Sequence, residues 1–200
     1  MTSPKKVYQI LLRHYGTQGW WPTTPSGKLH PVYHPSPKVA GISNQEQFEI
    51  CAGAILTQNT AWTNVEKALS ELHRARALTP EKIARMPSAR LERIIRSSGY
   101  FRQKAKKLKL FAQYILDKYD GKVSAMLSMP LHELRDELLS LHGVGPETAD
   151  SILLYAGAHP IFVVDAYTRR IGRRLGFFQT DDYTAVQRYF SSHLEHNVQL

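Results

Sequence analysis

Residues 141–170 read LHGVGPETADSILLYAGAHPIFVVDAYTRR and carry the pattern that decides the fold. The residues LRDELLSLHG at 134–143 predict a helix that ends at a glycine able to adopt a left-handed conformation. Pro146 follows GVG and predicts the start of a second helix. The stretch therefore predicts a helix, a tight hairpin and a second helix, followed by a single acid, Asp165, among apolar and basic residues.

The hairpin is expected to expose backbone N–H groups at the beginning of the second helix. Such donors bind a phosphate oxygen without a side chain, and the absent Cβ atoms of Gly143 and Gly145 would let a DNA backbone approach closely. On this interpretation Val144 and Thr148 lie at the same contact. A purely structural glycine turn between two helices is an equally good interpretation of these residues alone.

The composition describes a globular protein with a polyanionic partner. The chain has 200 residues, of which 42% are hydrophobic and 22% charged, and its net charge is +9. This excess favours nucleic acid or an acidic membrane surface as partner, and a merely basic surface is the alternative. Cys51 is the single cysteine, which excludes an intrachain disulfide and predicts a reducing cytoplasm. Because every apolar run falls short of about 18 residues, we expect neither export nor a membrane span.

Helical patterns dominate the rest of the chain and predict an all-α fold. They cover SNQEQFEICAGAILTQ at 43–58, WTNVEKALSELHRA at 62–75 and FRQKAKKLKLFAQYILDKYDG at 101–121. The last of these begins with a basic cluster, Arg102, Lys104, Lys106, Lys107 and Lys109. Because positive charge opposes the helix dipole there, we interpret the cluster as serving something outside the helix, with a solvated charged face as the alternative. PIFVVD at 160–165 is the single strand-like run.

These motifs resemble a known family. LHGVGPETADSILLYA at 141–156 followed by VVDAYTRRIGRRLGF at 163–177 is similar to the helix-hairpin-helix DNA glycosylases of the endonuclease III type. AGAILTQNTAWTNVEKAL at 52–69 and SSGYFRQKAKKLKLFAQYI at 97–115 match earlier helices of that family in order, so the resemblance covers about residues 45–178. WWP at 20–22 and LTQNTAW at 56–62 look most like the bacterial 3-methyladenine DNA glycosylase III branch.

The resemblance implies two helical domains with the DNA and base cleft between them. One domain consists of residues 1–44 and 159–200 and carries the catalytic aspartate; the other consists of residues 45–158 and carries the hairpin. The implied partner is double-stranded DNA containing a damaged base, with no membrane partner. We expect a monomer in the cytoplasm of a bacterium or archaeon, associated with the nucleoid.

Asp165 takes the position of the family's catalytic aspartate. Breaking an N-glycosidic bond passes through a sugar that resembles an oxocarbenium ion, so a fixed carboxylate beneath C1′ stabilises positive charge and orients or activates water. Asp165 also precedes a helical pattern, where aspartate is a favourable N-cap. A plain helix cap is therefore the alternative, and the two roles are compatible.

Glu147 stands where bifunctional relatives have a lysine whose amine attacks C1′ and forms a Schiff base. Glutamate cannot form an imine, so the resemblance implies a monofunctional glycosylase that uses water, releases the base and leaves an abasic site. Glu147 either contacts the base or faces solvent near the helix start. Another lysine that supplies the amine remains an open alternative.

By resemblance, the base pocket has Trp21 with Pro22 as one wall and Trp62 as the other, while Trp20 belongs to the core. A 3-methyladenine-type base has a positively polarised ring, which electron-rich indole faces favour through cation–π attraction. Such bases are also good leaving groups, so an alkylated purine is the expected substrate. Packing of the tryptophans in the core is the alternative.

The remaining site residues concern DNA and ions. Gln58 and Asn59 lie between two helices, where relatives insert a polar residue into the gap left by the flipped base; a turn that merely needs asparagine is an equal alternative. The family's hairpin often holds a monovalent cation with backbone carbonyls, here those of Leu139, Leu141 and Val144. We expect no other cofactor, because the four cysteines that hold a 4Fe-4S cluster in many relatives are missing. Relatives also continue for about one more helix, so the chain is expected to be a shortened form.

Three competing functions follow from the same motifs. A bifunctional glycosylase with lyase activity would need an amine where Glu147 stands. A mismatch-adenine glycosylase would need an additional recognition domain. A helix-hairpin-helix DNA-binding protein without enzymatic activity would explain the charge and the hairpin but not Asp165 or the tryptophans.

Overall fold

The computed structural model describes residues 3–34 and 42–195, which form eleven α-helices. The helices are α1 (Pro4–Tyr15), α2 (Asn44–Leu56), α3 (Trp62–Arg74), α4 (Pro80–Arg85), α5 (Ser88–Ile94), α6 (Phe101–Tyr119), α7 (Val123–Leu127), α8 (Leu131–Ser140), α9 (Pro146–Ser151), α10 (Ala166–Arg174) and α11 (Tyr183–His193). A 3₁₀ turn, Arg96–Ser98, precedes α6, and α9 continues into a π turn, Ile152–Ala156. The all-α prediction is confirmed. Within the described ranges β pairing is limited to one bridge, between Thr23 and Val32, so the strand-like run at 160–165 forms no β-strand there.

Local capping signals set several helix starts. Ser43 accepts a hydrogen bond from the Glu46 backbone N–H, while the Glu46 carboxylate accepts one from the Ser43 backbone N–H, forming a capping box at α2. Pro146 begins α9 directly after the hairpin, because its fixed φ and missing N–H are tolerated in a first turn. Asp165 and Asp182 cap α10 and α11 through their side chains.

Helix α2 lies at the centre of the larger hydrophobic core. All of its residues from Phe48 to Leu56 are buried, including Gly53, against which the Trp21 ring packs. A smaller cluster forms around Val164, Val186 and Phe190 near the C-terminal end of the described chain. The predicted two-domain division stays a prediction; the N-terminal Trp21 belongs to the same core as α2.

The basic cluster of α6 acts outside its helix, but chiefly on the protein's own carbonyl groups. Lys104 is 2% exposed, and its Nζ donates hydrogen bonds to the carbonyls of Leu56 (2.8 Å) and Ser98 (2.6 Å). Desolvation, followed by the charge of Lys107, lowers the pKa of Lys104 to about 8. Lys109 likewise donates to the carbonyl of Ala84. Lys107 contacts Gln58, and Arg102 Nε lies 4.0 Å from Glu92 Oε2, so four of the five basic residues are partnered within the fold.

Within residues 3–34 and 42–195, the longest and most apolar helices fall short of what crossing a bilayer requires.

Candidate active site

Asp165 is held at the start of α10 by one of its two carboxylate oxygens. Oδ1 accepts hydrogen bonds from the backbone N–H and from the hydroxyl of Thr168, both at 2.7 Å. In the described part of the chain, Oδ2 has no hydrogen-bond partner. The side chain therefore serves as a helix cap and still has one oxygen available for a ligand, so the two predicted roles are geometrically compatible.

Glu147 lies close to Asp165 on the first turn of α9. Burial, and next the negative charge of Asp165, raise the pKa of Glu147, and the guanidinium of Arg169 opposes this shift. Arg169 Nη2 is 3.7 Å from Glu147 Oε2, and the two side chains are 30% and 46% exposed. The hairpin helix and α10 thus place two carboxylates and one guanidinium at a common, partly open site.

Tyr155 connects this charged group to the aromatic residues. Its ring centroid is 5.2 Å from that of Trp21. Burial, and next the charge of Asp165, raise the pKa of the Tyr155 hydroxyl to about 12, which keeps it protonated at neutral pH. The residue lies in the π turn after α9, a distortion that often occurs at functional sites. Sequence reasoning missed Tyr155, because a tyrosine at helical spacing looks like core.

The tryptophans form one packed cluster. Trp21 is 6% exposed, and its ring meets that of Trp62 edge to face at 5.2 Å. Trp20 packs on Trp62 at 4.9 Å and is only half-buried, so it has more open surface than Trp21. Pro22 is buried. A base that stacks between the predicted walls would have to separate Trp21 from Trp62; their role as walls stays a prediction.

The hairpin glycines differ in what they require. Gly143 has a φ of +85°, and a Cβ there would lie 2.5 Å from the Lys107 side chain, so the position needs glycine for the fold itself. Gly145 has a φ of −96°, and a Cβ there would meet nothing within 4 Å. Of the two glycines, only Gly145 has open space beside its Cα, where a ligand could approach the backbone. In the described residues, the backbone N–H groups of Gly145, Glu147 and Thr148 have no acceptor, as the predicted phosphate contact requires.

Gln58 lies against the hairpin. Its Nε2 donates to the Gly143 carbonyl and to the Thr148 hydroxyl, both at 3.0 Å, and its Oε1 accepts from Lys107 Nζ at 2.6 Å. An ammonium can only donate and a carbonyl can only accept, so these partners fix the orientation of the amide. All of the hydrogen-bonding groups of this amide except one lone pair are thus satisfied inside the protein. We call Gln58 and Lys107 the hairpin brace.

Asn59 and Thr148, two further residues predicted at the DNA, have contrasting surroundings. Asn59 is exposed and has a φ of 53°, a left-handed conformation that asparagine tolerates. Thr148 is 7% exposed, and its hydroxyl is occupied by Gln58. In the turn between α2 and α3, the Asn59 side chain is therefore open to a ligand. Thr148, on α9, can offer a ligand its backbone N–H but not its hydroxyl.

The carbonyl groups predicted to hold a cation fit such a ligand set in part. The Leu139 and Val144 carbonyls accept no hydrogen bond from a described residue, while the Leu141 carbonyl accepts the Val144 N–H at 3.1 Å and retains a second lone pair. Across residues 3–34 and 42–195, no group of three or more His, Cys, Asp or Glu side chains is placed to hold a metal ion.

Comparisons with known proteins agree with this arrangement. A profile of the HhH-GPD superfamily, base excision DNA repair proteins, matches residues 52–196. The chain is 38% identical over 198 residues to MJ1434 of Methanocaldococcus jannaschii, provisionally named a DNA repair glycosylase, covering 98% of this chain and 80% of that protein. It is 33% identical over 135 residues to endonuclease III of Thermotoga maritima, covering 68% of this chain but only 59% of that enzyme.

Two solved structures share the fold. H. pylori 3-methyladenine DNA glycosylase (MagIII) bound to 1,N6-ethenoadenine gives a TM-score of 0.67 and 31% identity, covering 78% of this chain and 75% of that one. A non-covalent complex of endonuclease III with DNA gives a TM-score of 0.67 and 28% identity, covering 79% and 70%. The profile matches well over half of the chain. The chain therefore belongs to the endonuclease III-like, HhH-GPD superfamily of base excision DNA repair proteins, and it is a DNA glycosylase.

Proposed function

We propose that this glycosylase is monofunctional: Asp165 promotes hydrolysis of the N-glycosidic bond of a flipped-out alkylated purine in double-stranded DNA. The observation that carries the proposal is the pair formed by Asp165, with its unoccupied Oδ2, and Glu147 in place of an amine. A carboxylate fixed beside the sugar stabilises the developing positive charge and orients water. Without a Schiff base, the product is an abasic site and the strand stays intact.

The surroundings of the described lysines support the use of water. Among the described residues, the charged groups that shift the pKa values of Glu147 and Tyr155 are Asp165 and Arg169, and neither is an amine. Lys104 has the lowered pKa that favours a nucleophilic amine, but it is buried and donates to two carbonyls. Lys107 donates to Gln58. Neither is free to attack C1′.

The aromatic cluster and the comparison with MagIII support an alkylated purine. Trp20 and Trp62 are half-buried, so their open ring surfaces can stack on a base, and an electron-rich indole attracts a positively polarised ring. The MagIII structure, at 31% identity, holds 1,N6-ethenoadenine, a modified purine. The formal net charge of +9 suits a phosphate backbone.

Further parts of the proposal concern the wider context. The free N–H groups of the hairpin would bind a DNA phosphate, and the carbonyls of Leu139, Leu141 and Val144 would hold a monovalent cation beside it. Gln58 and Asn59 lie in the turn that would face the flipped-out site. The protein would act as a monomer in the cytoplasm, associated with the nucleoid, and without an iron–sulfur cluster.

Base release from a methylated DNA duplex tests the proposal. Wild-type protein should release methylpurines and give nicks only after hot alkali. Asp165→Asn should abolish release while retaining the fold, because asparagine caps a helix about as well as aspartate. Nicks without alkali would show that an amine attacks C1′ and would refute the monofunctional mechanism.

Glu147→Lys supplies an independent test with a matched control. If Glu147 faces C1′ of the flipped nucleotide, the lysine variant should form an adduct with DNA that borohydride traps, whereas Glu147→Gln and the wild type should form none. An adduct with the wild type would contradict the proposal. No adduct with the lysine variant would place Glu147 away from the sugar.

A further inference from the structure

Asp150 is a buried carboxylate that the proposed reaction does not use. It lies on α9, three residues after Glu147, and is 0% exposed. Oδ1 accepts a hydrogen bond from Arg135 Nε at 2.7 Å, and Oδ2 accepts bonds from the Tyr183 hydroxyl at 2.8 Å and from the Gln187 amide at 2.6 Å. Burying a carboxylate without hydrogen-bond donors costs much free energy, so these donors are needed to keep Asp150 in its buried position.

Two of these partners also bind the segment that leads to Asp165. The Tyr183 hydroxyl accepts the Val164 backbone N–H at 3.3 Å while it donates its proton to Asp150. The Gln187 amide donates to the Phe162 carbonyl at 2.7 Å as well as to Asp150. Both side chains belong to α11, which therefore bridges the hairpin helix α9 and residues 162–164.

Residues 162–164 make few other backbone hydrogen bonds. In the described parts of the chain, the hydrogen bonds of their backbone are those to Tyr183 and Gln187. Asp165 follows directly, and among the described residues its side chain is hydrogen-bonded to Thr168 of its own helix alone. The two α11 side chains thus supply the polar anchors of the backbone that leads to Asp165, in addition to the packing of Phe162 and Val164 in the smaller cluster.

We propose that Tyr183 and Gln187 are positioning residues, which hold Asp165 in its reactive place by linking the backbone of Phe162 and Val164 to Asp150 on the hairpin helix. The inference rests on the proposed catalytic role of Asp165. Burial, and next the charge of Asp150, raise the pKa of Tyr183, so its hydroxyl remains a donor to Asp150 throughout the neutral range. DNA bound at the hairpin would be held in register with Asp165 through the same contacts.

Tyr183→Phe tests this with almost no change in volume. Tyr189→Phe is the matched control, because Tyr189 lies on the same helix and its hydroxyl has no hydrogen bond within the described residues. Three quantities are compared with the wild type: the single-turnover rate of base release from methylated duplex, the Kd for a duplex with a tetrahydrofuran abasic analogue, and the hydrogen exchange of the Val164 amide. Melting temperatures monitor folding.

The expected result for Tyr183→Phe is a rate on the order of 10-fold or more below wild type, since small displacements of a reacting group are costly, with an unchanged Kd. The Val164 amide should exchange faster, and Tyr189→Phe should match the wild type in every assay. An unchanged rate or unchanged Val164 exchange would overturn the inference. So would equal losses of rate and DNA affinity, which would indicate general destabilisation.

Gln187→Met provides a second variant, because it keeps the length of the side chain but removes the hydrogen bonds that the Gln187 amide donates to Asp150 and to the Phe162 carbonyl. It should reproduce the loss of rate at constant Kd, and a wild-type rate would refute the role of Gln187. A wild-type protein that releases no methylpurine would reject the proposed substrate instead. The hydrogen exchange at Val164 would still decide the positioning contact, so the two failures are distinguishable.

Discussion

Gln58→Ala separates two roles for this residue, a brace for the hairpin and an insertion into the DNA gap. The structure shows the first: the amide contacts the Gly143 carbonyl, the Thr148 hydroxyl and the Lys107 ammonium. Truncation removes all three bonds and leaves the hairpin without its contact to the end of α2. We therefore expect the variant to lose stability and to bind undamaged DNA more weakly.

The magnitude follows from the kinds of bond that are lost. A neutral hydrogen bond contributes about 0.5–1.5 kcal/mol and one to a charged group about 1.5–3 kcal/mol. Gln58 is half-buried, so water can replace part of what is lost, and the lower end of the range applies. The expected decrease in the free energy of unfolding is about 2–3 kcal/mol. Lys107→Met, which keeps the aliphatic chain over Gly143 and removes only the ammonium, should cost less.

Urea denaturation and fluorescence titration with an undamaged duplex measure the two effects. A displaced hairpin should lower DNA affinity about tenfold, which corresponds to about 1.4 kcal/mol. Asn59→Gly is the control, because glycine accepts the left-handed φ of that position and only the exposed amide is removed. It should retain wild-type stability. If Gln58→Ala kept wild-type stability and affinity but lost base release, the brace interpretation would be refuted and insertion into the gap supported.

Further predictions concern the hairpin and two titrating groups. Gly143→Ala should destabilise the fold by about 1–2 kcal/mol because of its positive φ, whereas Gly145→Ala should leave stability unchanged and weaken DNA binding alone, as urea denaturation and titration with a duplex will show. Lys104→Met should cost about 2–3 kcal/mol, because two buried carbonyls lose their donor. Since the native pKa of Lys104 is lowered to about 8, the native state releases this proton before the unfolded state does, so the stability gap between wild type and variant should widen as the pH rises from 8 towards 10.5. Glu147→Gln should raise the melting temperature at neutral pH: the raised native pKa of Glu147 makes wild-type stability fall as the pH rises above 4.5, so the difference should vanish below that value. Equal melting curves of Glu147→Gln and wild type at about pH 7 would contradict this assignment.

Local signals in the sequence predicted the helices well. The capping box at Ser43 and the proline at the start of α9 act within one helical turn, so their effect can be read from neighbouring residues. The hairpin glycines were found for the same reason. The sequence did not show that Gly143 is needed for the fold while Gly145 is not. The side chain that a Cβ at Gly143 would clash with is that of Lys107, 36 residues earlier in the chain.

Long-range contacts decided the rest of the site. The basic residues of α6 suggested a partner outside the helix, yet nothing local shows that the carbonyl acceptor of Lys104 is Leu56, 48 positions away. Similarly, Asp150 meets Gln187 at a separation of 37 residues, which hydrophobic periodicity does not report. The relative exposure of Trp20 and Trp21 depends on how the N-terminal segment crosses α2, and this too is a tertiary property.

A single short helix joins the separate parts of the proposed reaction. Helix α9 begins at the hairpin with the N–H groups that are proposed to bind a phosphate, presents Glu147 beside Asp165, and buries Asp150 three residues later. Its π-turn extension places Tyr155 against Trp21. Because these groups share one continuous helical element, a phosphate bound at the hairpin would fix the distance from the DNA backbone to the proposed pocket before a base enters it. Base selection would then depend on the aromatic cluster, whereas the use of water as nucleophile would depend on Glu147. Substitutions in the cluster should therefore change which bases are released, and the DNA strand should still stay intact.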